Sequence, residues 1–310
     1  MNFRANGKEY ILENLREKLK PNWREMLNPV KSRRLVPIPY AQSECLSKAE
    51  ERLSKLGESL VGKDILEIGC GYGNHAYLMA KYEGTKVHGI DVDEYTVNQS
   101  VDLNMWNPKD LELAHNNVVN IRKECSALFP DKVSKKVTFD TCRIEDYATP
   151  NPHDVIFSFD VLEHLLDLRL AFNQMANSLK KGGIAYHEFN PFFSLTGGHT
   201  LCMLDFHYGH CLLSEEDFKR YIQEFRPDEE KIALNFYKKC LNRATLFDIK
   251  NYAKEFGFEI LHLDGVNFFQ APERAVRKEL ETTILPYVKY PNVTVDDLLW
   301  DFTYLIMRKL

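Results

Sequence analysis

No run of 18 apolar residues occurs in the sequence, so nothing in it reads as a membrane span. The first residues, MNFRANGKEYILENLREKLK, lack the apolar stretch that a secretory leader carries. Cysteine is scarce and unpaired in pattern. The seven are Cys45, Cys70, Cys125, Cys142, Cys202, Cys211 and Cys240, an odd number with no CxxC. That excludes neither reactivity nor packing, but it argues against a disulfide framework or a cysteine zinc site. A reducing, cytoplasmic setting is the expectation. Neither sign of charge dominates: 40 Lys and Arg stand against 45 Asp and Glu, a net charge of −5, with a pI of about 6.1. The broad basic footprint of a nucleic-acid binder is missing. Internal repeats and low-complexity tracts are missing too.

What remains is an ordinary globular composition of 310 residues, 44% hydrophobic and 27% charged, long enough to bury a sizeable core. Residues 1–60 are charged and helical in pattern, broken by Pro37 and Pro39, with an amphipathic helix expected from Gln42 to Leu60. From residue 64 apolar strands alternate with helices. Strands are expected at Asp64–Ile68, Lys86–Asp91, Val137–Cys142, Asp154–Phe159 and Gly183–Phe189. Helices are expected at Asn74–Tyr82, Tyr95–Leu103 and Leu162–Lys180. The stretch from Asn104 to Lys136 reads as extra helix plus loop. After a long insertion the pattern resumes with helix Leu246–Phe256, a Gly257 cap and strands Phe258–Asp264 and Asp301–Met307. This is the signature of an α/β, doubly wound, mostly parallel sheet. The expected division is a helical N-terminal cap (1–60), a core (61–190), a lid or substrate insertion (191–245) and the C-terminal part of the core sheet (246–310).

Residues 64–76 read DILEIGCGYGNHA: a strand, a glycine-rich turn, then a helix. Gly69, Gly71 and Gly73 let the backbone bend tightly and approach a ligand. The spacing is GxGxG rather than the GxGxxG of a pyrophosphate site. Glu67, inside the strand end, suits a cationic ligand better than a phosphate. Asp91 ends the next strand, where a carboxylate can take both hydroxyls of a ribose. These features disfavour a nicotinamide-dependent oxidoreductase on a related fold.

ILEIGCGYG, then VHGID, then DVIFSFDVLEHL and LKKGGIAYHEFNP resemble, in order and spacing, the class I S-adenosylmethionine (SAM)-dependent methyltransferase family. The resemblance covers roughly residues 64–190 and implies a seven-stranded sheet. It implies that Gly69, Cys70, Gly71 and Gly73 hold the methionine portion of SAM, with Glu67 near its amino group. Asp91 would bind the ribose, and Glu145 would lie near the adenine. Phe159 and Asp160 would close the site. Asp146 is an alternative to Glu145.

Asp160, Glu163 and His164 are spaced i, i+3, i+4, which puts them on one face if a helix starts there. Downstream, His199, His207 and His210 fall within one insertion. Acids and histidines of this kind form an oxygen-and-nitrogen shell for a metal ion, with Mg²⁺ or Mn²⁺ as the expected ion. The pattern is similar to metal-dependent methyltransferases acting on the 2′-hydroxyl of small RNAs, and that likeness implies Asp160, Glu163, His164 and His210 as ligands. The quinone-biosynthesis O-methyltransferases carry an EH pair here as well. A second reading of Asp160 and Glu163 is a D-x-x-E capping box. Without a metal, His164, His207 or His210 would be the general base. His187, inside a strand, either lines the pocket or is structural. Ser214 is expected to cap a helix. The aromatics Phe192, Phe193, Phe206 and Tyr208 either stack on an acceptor or pack the insertion, and Gly197–Gly198 reads as a hinge or a close approach. Trp23 and Tyr40 are candidates to close the other side.

The function expected is methyl transfer from SAM to a hydroxyl of a small molecule or sugar, with possible metal assistance. A catalytically inactive, methyltransferase-like binding subunit is the alternative besides the oxidoreductase. Nucleic acid is disfavoured as a partner by the acidic balance.

Overall fold

A computed structural model describes residues 1–21, 40–92, 108–269 and 271–310. The expected helix Tyr95–Leu103, together with Pro37, Pro39, Trp23 and the Tyr40 side chain, lies outside the described residues. The chain opens with a hairpin, β1 (Asn2–Ala5) and β2 (Lys8–Ile11), and then a short helix α1 (Leu15–Leu19). The hairpin replaces the expected helix at that end. Asn6 (φ 52°) and Gly7 (φ 72°) form its turn, and an Asn-Gly pair with both residues left-handed matches the twist of the flanking strands.

Helix α2 (Tyr40–Lys55) leads to β3 (Asp64–Ile68), α3 (Asn74–Met79) and β4 (Lys86–Asp91). Then come α4 (Pro108–Ala127), β5 (Val137–Thr141), β6 (His153–Phe159), α5 (Leu168–Ser178) and β7 (Leu179–Phe189). The insertion carries α6 (His199–Cys202), α7 (Glu215–Phe225) and α8 (Glu230–Lys239), and α9 (Leu246–Glu255), β8 (Phe258–Val266) and β9 (Phe302–Lys309) finish the sheet. Ser214 caps α7 by accepting from the Asp217 N–H, as its position suggested. A Thr245/Asp248 capping box starts α9, and Gly257 (φ 75°) ends it.

The seven strands run in the order β5-β4-β3-β6-β7-β9-β8. All neighbours pair in parallel except β9, which is antiparallel to both β7 and β8. The doubly wound, mostly parallel, seven-stranded α/β sheet is therefore present. The order reverses between β3 and β6, which is where such sheets open a crevice beyond the strand ends. Apolar side chains fill both faces. Leu66, Ile156 and Leu305 pack against α5 and α9 on one side. Ile65, Phe157, Tyr186 and Ile306 pack against α2 and α3 on the other.

A third core lies off the sheet. Phe3 and Leu15 from the N-terminus join Phe193, Phe218 and Phe236 of the insertion and Leu280 and Leu298 from beyond β8. Phe192, Phe193, Phe206 and Tyr208 are all buried in it, so they pack the insertion and do not face an acceptor. Asp301, at the base of β9, ties this body to the sheet. Its fully buried carboxylate accepts from Thr196 N–H (3.2 Å), Thr196 Oγ1 (3.1 Å) and Phe268 N–H (3.0 Å). Asp301→Ala leaves those donors buried without an acceptor. Urea unfolding is expected to show a loss of about 3 kcal/mol. A loss near zero would mean that the junction adds nothing to stability.

Candidate active site

The site is built at the carboxyl ends of β3, β4, β6 and β7. Beyond Ile68 the chain reverses through Gly69 (φ 70°), Gly71 (φ 51°) and Gly73 (φ 86°), conformations that a Cβ resists. At Gly69 a Cβ would collide with the Val161 side chain, and at Gly73 with the Phe139 ring. At Gly71 a Cβ would meet nothing within 4 Å among the described residues. The bend is thus packed from behind and open at its apex. The N–H groups of Gly69 (2.8 Å) and Cys70 (3.1 Å) donate to the Ile90 carbonyl, which stitches the turn to β4.

Asp91 closes β4 and reaches across. Its Oδ2 accepts from Gly71 N–H at 2.6 Å and its Oδ1 from Val92 N–H at 2.7 Å. Burial pushes this carboxyl up to about 6, opposed by those two donors and by the Arg122 charge. Both oxygens therefore already have partners, and each keeps a further lone pair for a ligand. Beside the turn lies a cleft that opens to solvent. Gly69, Asp91, Ile144, Glu145, Val161 and His164 are among its walls. Glu145, not Asp146, faces it: Glu145 is half-buried with its carboxyl raised by desolvation, while Asp146 is exposed.

On the α2–α3 side of the sheet a polar row crosses the strand ends. Glu67 Oε1 lies 3.3 Å from His75 Nδ1, and the His75 ring stacks on Phe159 at 4.2 Å. Glu188 on β7 is in register with Phe159. Among the described residues, Glu67 Oε2, His75 Nε2 and Glu188 Oε2 are buried without a hydrogen-bond partner. Burial first, and the neighbouring Asp160 charge second, push Glu188 up to about 7, against Arg52, His75 and Lys48. His187, facing the other way, is fully buried on Ser158 Oγ at 2.7 Å and driven down to about 3 by desolvation.

Past β6 the expected long helix does not begin at once. Asp160 takes a left-handed φ of 55°, and its N–H donates to Glu188 O at 2.8 Å. A single 3₁₀ turn, Leu162–His164, follows. Helix α5 starts only at Leu168, capped by Asp167, which accepts from Leu170 N–H. Asp160 and Glu163 are therefore neither a capping box nor neighbours on a helical face.

Instead, ligand atoms of Glu163, His164 and His199 lie within 4.8 Å of one another. Neither Asp160 nor His210 belongs to that group. His210 is committed elsewhere, its Nε2 2.8 Å from the Phe192 carbonyl, with burial driving it down to about 4. Backbone geometry makes the difference. Gly197 packs on the Pro191–Phe192 backbone and Gly198 on the Cys202–Met203 backbone and the His210 ring, leaving no room for a Cβ, and His199 sits at φ 49°. That tight approach turns residue 199 inward. His207 is exposed and likewise outside the group.

Within the group, Glu163 Oε1 accepts from Asn190 N–H at 3.1 Å and lies 3.9 Å from His199 Nε2, while Glu163 Oε2 and His199 Nε2 are buried with no hydrogen-bond partner among the described residues. His164 Nδ1 donates to the Cys240 carbonyl at 2.6 Å, which leaves the ring's lone pair on Nε2. Desolvation takes His164 down to about 4, lowers His199 strongly and raises Glu163 strongly.

A reversed parallel sheet with a glycine turn at its switch point and an acid ending the next strand defines a cofactor-binding doubly wound fold. Residues 40–263 match the profile of the methyltransferase domain, and the chain belongs to that family. Ubiquinone biosynthesis O-methyltransferase from Neisseria meningitidis serogroup C (strain 053442) is 30% identical over 129 residues, 41% of this chain and 44% of that protein. The protein of the same name from Vibrio cholerae serotype O1 (strain ATCC 39541) is 29% identical over 126 residues, 40% of each. The chain thus matches less than half the length of these relatives. Among solved structures, a SAM-dependent methyltransferase from Mesorhizobium loti is 13% identical with a TM-score of 0.44, covering 84% of this chain and 96% of that one. Among the described residues, no helix is long and apolar enough to cross a membrane.

Proposed function

We propose that the chain is a SAM-dependent O-methyltransferase whose acceptor is a hydroxyl on a small molecule or sugar, with a divalent ion held by Glu163, His164 and His199. The open apex at Gly71 between two buried acids, Glu67 and Asp91, carries the cofactor half of this reading. A sulfonium is positively charged, and carboxylates in a low-dielectric pocket favour it over a phosphate. The names of the curated relatives support oxygen as the atom methylated. Two buried atoms without a hydrogen bond among the described residues, Glu163 Oε2 and His199 Nε2, fit an ion. So does the His164 Nδ1–carbonyl bond, the usual outer support of a ligating histidine. When bound, such an ion acidifies a hydroxyl and holds it in place.

The chain's own groups do the rest. The turn and Asp91 orient the cofactor, so that nucleophile, methyl and sulfur can align. The acceptor O–H bond breaks as the O–CH₃ bond forms and the S–CH₃ bond breaks, leaving S-adenosylhomocysteine (SAH). In this reading Glu188, raised to about 7, takes the proton. It replaces His164, His207 and His210 as the base, since His164 and His210 hold a proton only below about 4.

A base must be ionised to act, so kcat is expected to rise with pH through about 7 and then level off. Glu188→Gln should lower kcat about a hundredfold or more and flatten that limb. A limb unchanged in Glu188→Gln would remove Glu188 from this role. The reading as a whole is tested by methyl transfer to a panel of hydroxylated and amine acceptors with Mg²⁺, Mn²⁺ or EDTA. Transfer to amines alone would contradict it.

A further inference from the structure

Gly71 is held at both of its backbone groups. Its N–H is fixed by Asp91. Its carbonyl accepts two bonds from Arg122, at 3.1 Å from Nε and 2.7 Å from Nη2. Arg122 comes from α4, 51 residues further along the chain. Its guanidinium also lies 3.7 Å from Cys70 Sγ and 4.6 Å from the centre of the Phe139 ring. That ring is the same one that backs Gly73 and crowds Gly89. One turn on, Cys125 Sγ bonds Asn74 Oδ1 at 3.2 Å, at the first residue of α3. Residues three apart share a helical face, so α4 grips the glycine turn at its apex and at its exit.

A glycine has the widest choice of φ and ψ of any residue, and an open turn loses that freedom when it binds. Fixing the turn beforehand removes that cost from the binding step. A guanidinium with two donors on one carbonyl is suited to this task, because its fork is planar and always charged.

We propose that α4 is a latch for the cofactor turn, with Arg122 as the positioning residue that sets cofactor affinity. This rests on the proposed SAM site and adds to it an element outside the glycine motif. Arg122 acts on Gly71, not on the transferred methyl.

The test is calorimetric titration of SAH into the native chain, Arg122→Ala and Arg122→Lys, with steady-state rates on the same samples. Arg122→Ala is expected to weaken SAH and to raise the KM for SAM about tenfold, the loss of one charge-assisted contact. The KM for the acceptor should stay within twofold. Lysine, with a single flexible ammonium, should recover part of the affinity. Phe139→Leu, which removes the ring beneath the guanidinium, should weaken SAH by a smaller factor and serves if Arg122→Ala does not fold. If native chain binds SAH and the folded Arg122 variants bind it equally well, the latch is refuted while the cofactor site stands. An equal rise in both KM values would also overturn it, since that is a general loosening. If native chain binds no SAH, the underlying cofactor reading is what fails.

Discussion

Gly71→Ala is expected to fold and to lose SAH affinity by about tenfold to a hundredfold, the scale of the one to three kcal/mol that overpacking costs. Two effects combine. At φ 51° a Cβ strains the backbone, and the new methyl projects into the open apex where the ligand is to lie. Gly257→Ala separates them. Gly257 has a similar φ of 75° and equally open surroundings, but it ends α9, away from the turn. Both variants should lose about 1 kcal/mol of stability, and only Gly71→Ala should lose SAH. Equal SAH affinity in the two variants would mean that the apex is not where the cofactor lies.

Glu163→Gln is expected to abolish divalent-ion binding and to lower metal-stimulated transfer about a hundredfold, while SAH binding is kept. Without an ion, desolvation and the Asp160 charge hold the Glu163 carboxyl well above its ordinary range. A neutral amide therefore copies the protonated acid, and Gln can still accept from Asn190 N–H. Stability should barely move. Binding a cation requires that proton to leave, so ion affinity should rise with pH and protons should be released on binding. Mn²⁺ titration followed by calorimetry in two buffers of different ionisation enthalpy reads both. Full metal-stimulated activity in Glu163→Gln would reduce the cluster to a buried polar junction.

The parallel sheet was legible because its strands are short apolar runs buried on both faces, and the glycines at 69, 71 and 73 mark the tight bend that follows the first of them. Strand ends and helix caps such as Ser214 and Gly257 followed from local chemistry. The N-terminal hairpin was missed: its signal is the two-residue pair Asn6–Gly7, and charge and helical spacing in the following residues masked it. The Glu163 partner was not legible. His199 and His210 are equivalent in a linear reading, and only the tight Gly197–Gly198 fold turns the first inward. Asp160 misled for a related reason. Its i, i+3 spacing to Glu163 presumes a helix, and its left-handed backbone breaks that premise. Arg122 lies outside every quoted motif, and His75 and Glu188 lie inside quoted stretches without being singled out there. They matter through contacts set by tertiary packing, between residues such as 71 and 122.

The central claim is that the bend at residues 69–73 is a site for SAM, and calorimetric titration of SAH into the native chain tests it most directly. One saturable site, lost in Gly71→Ala and kept in Gly257→Ala, is the predicted result. An absence of heat and of saturation at millimolar SAH would contradict it.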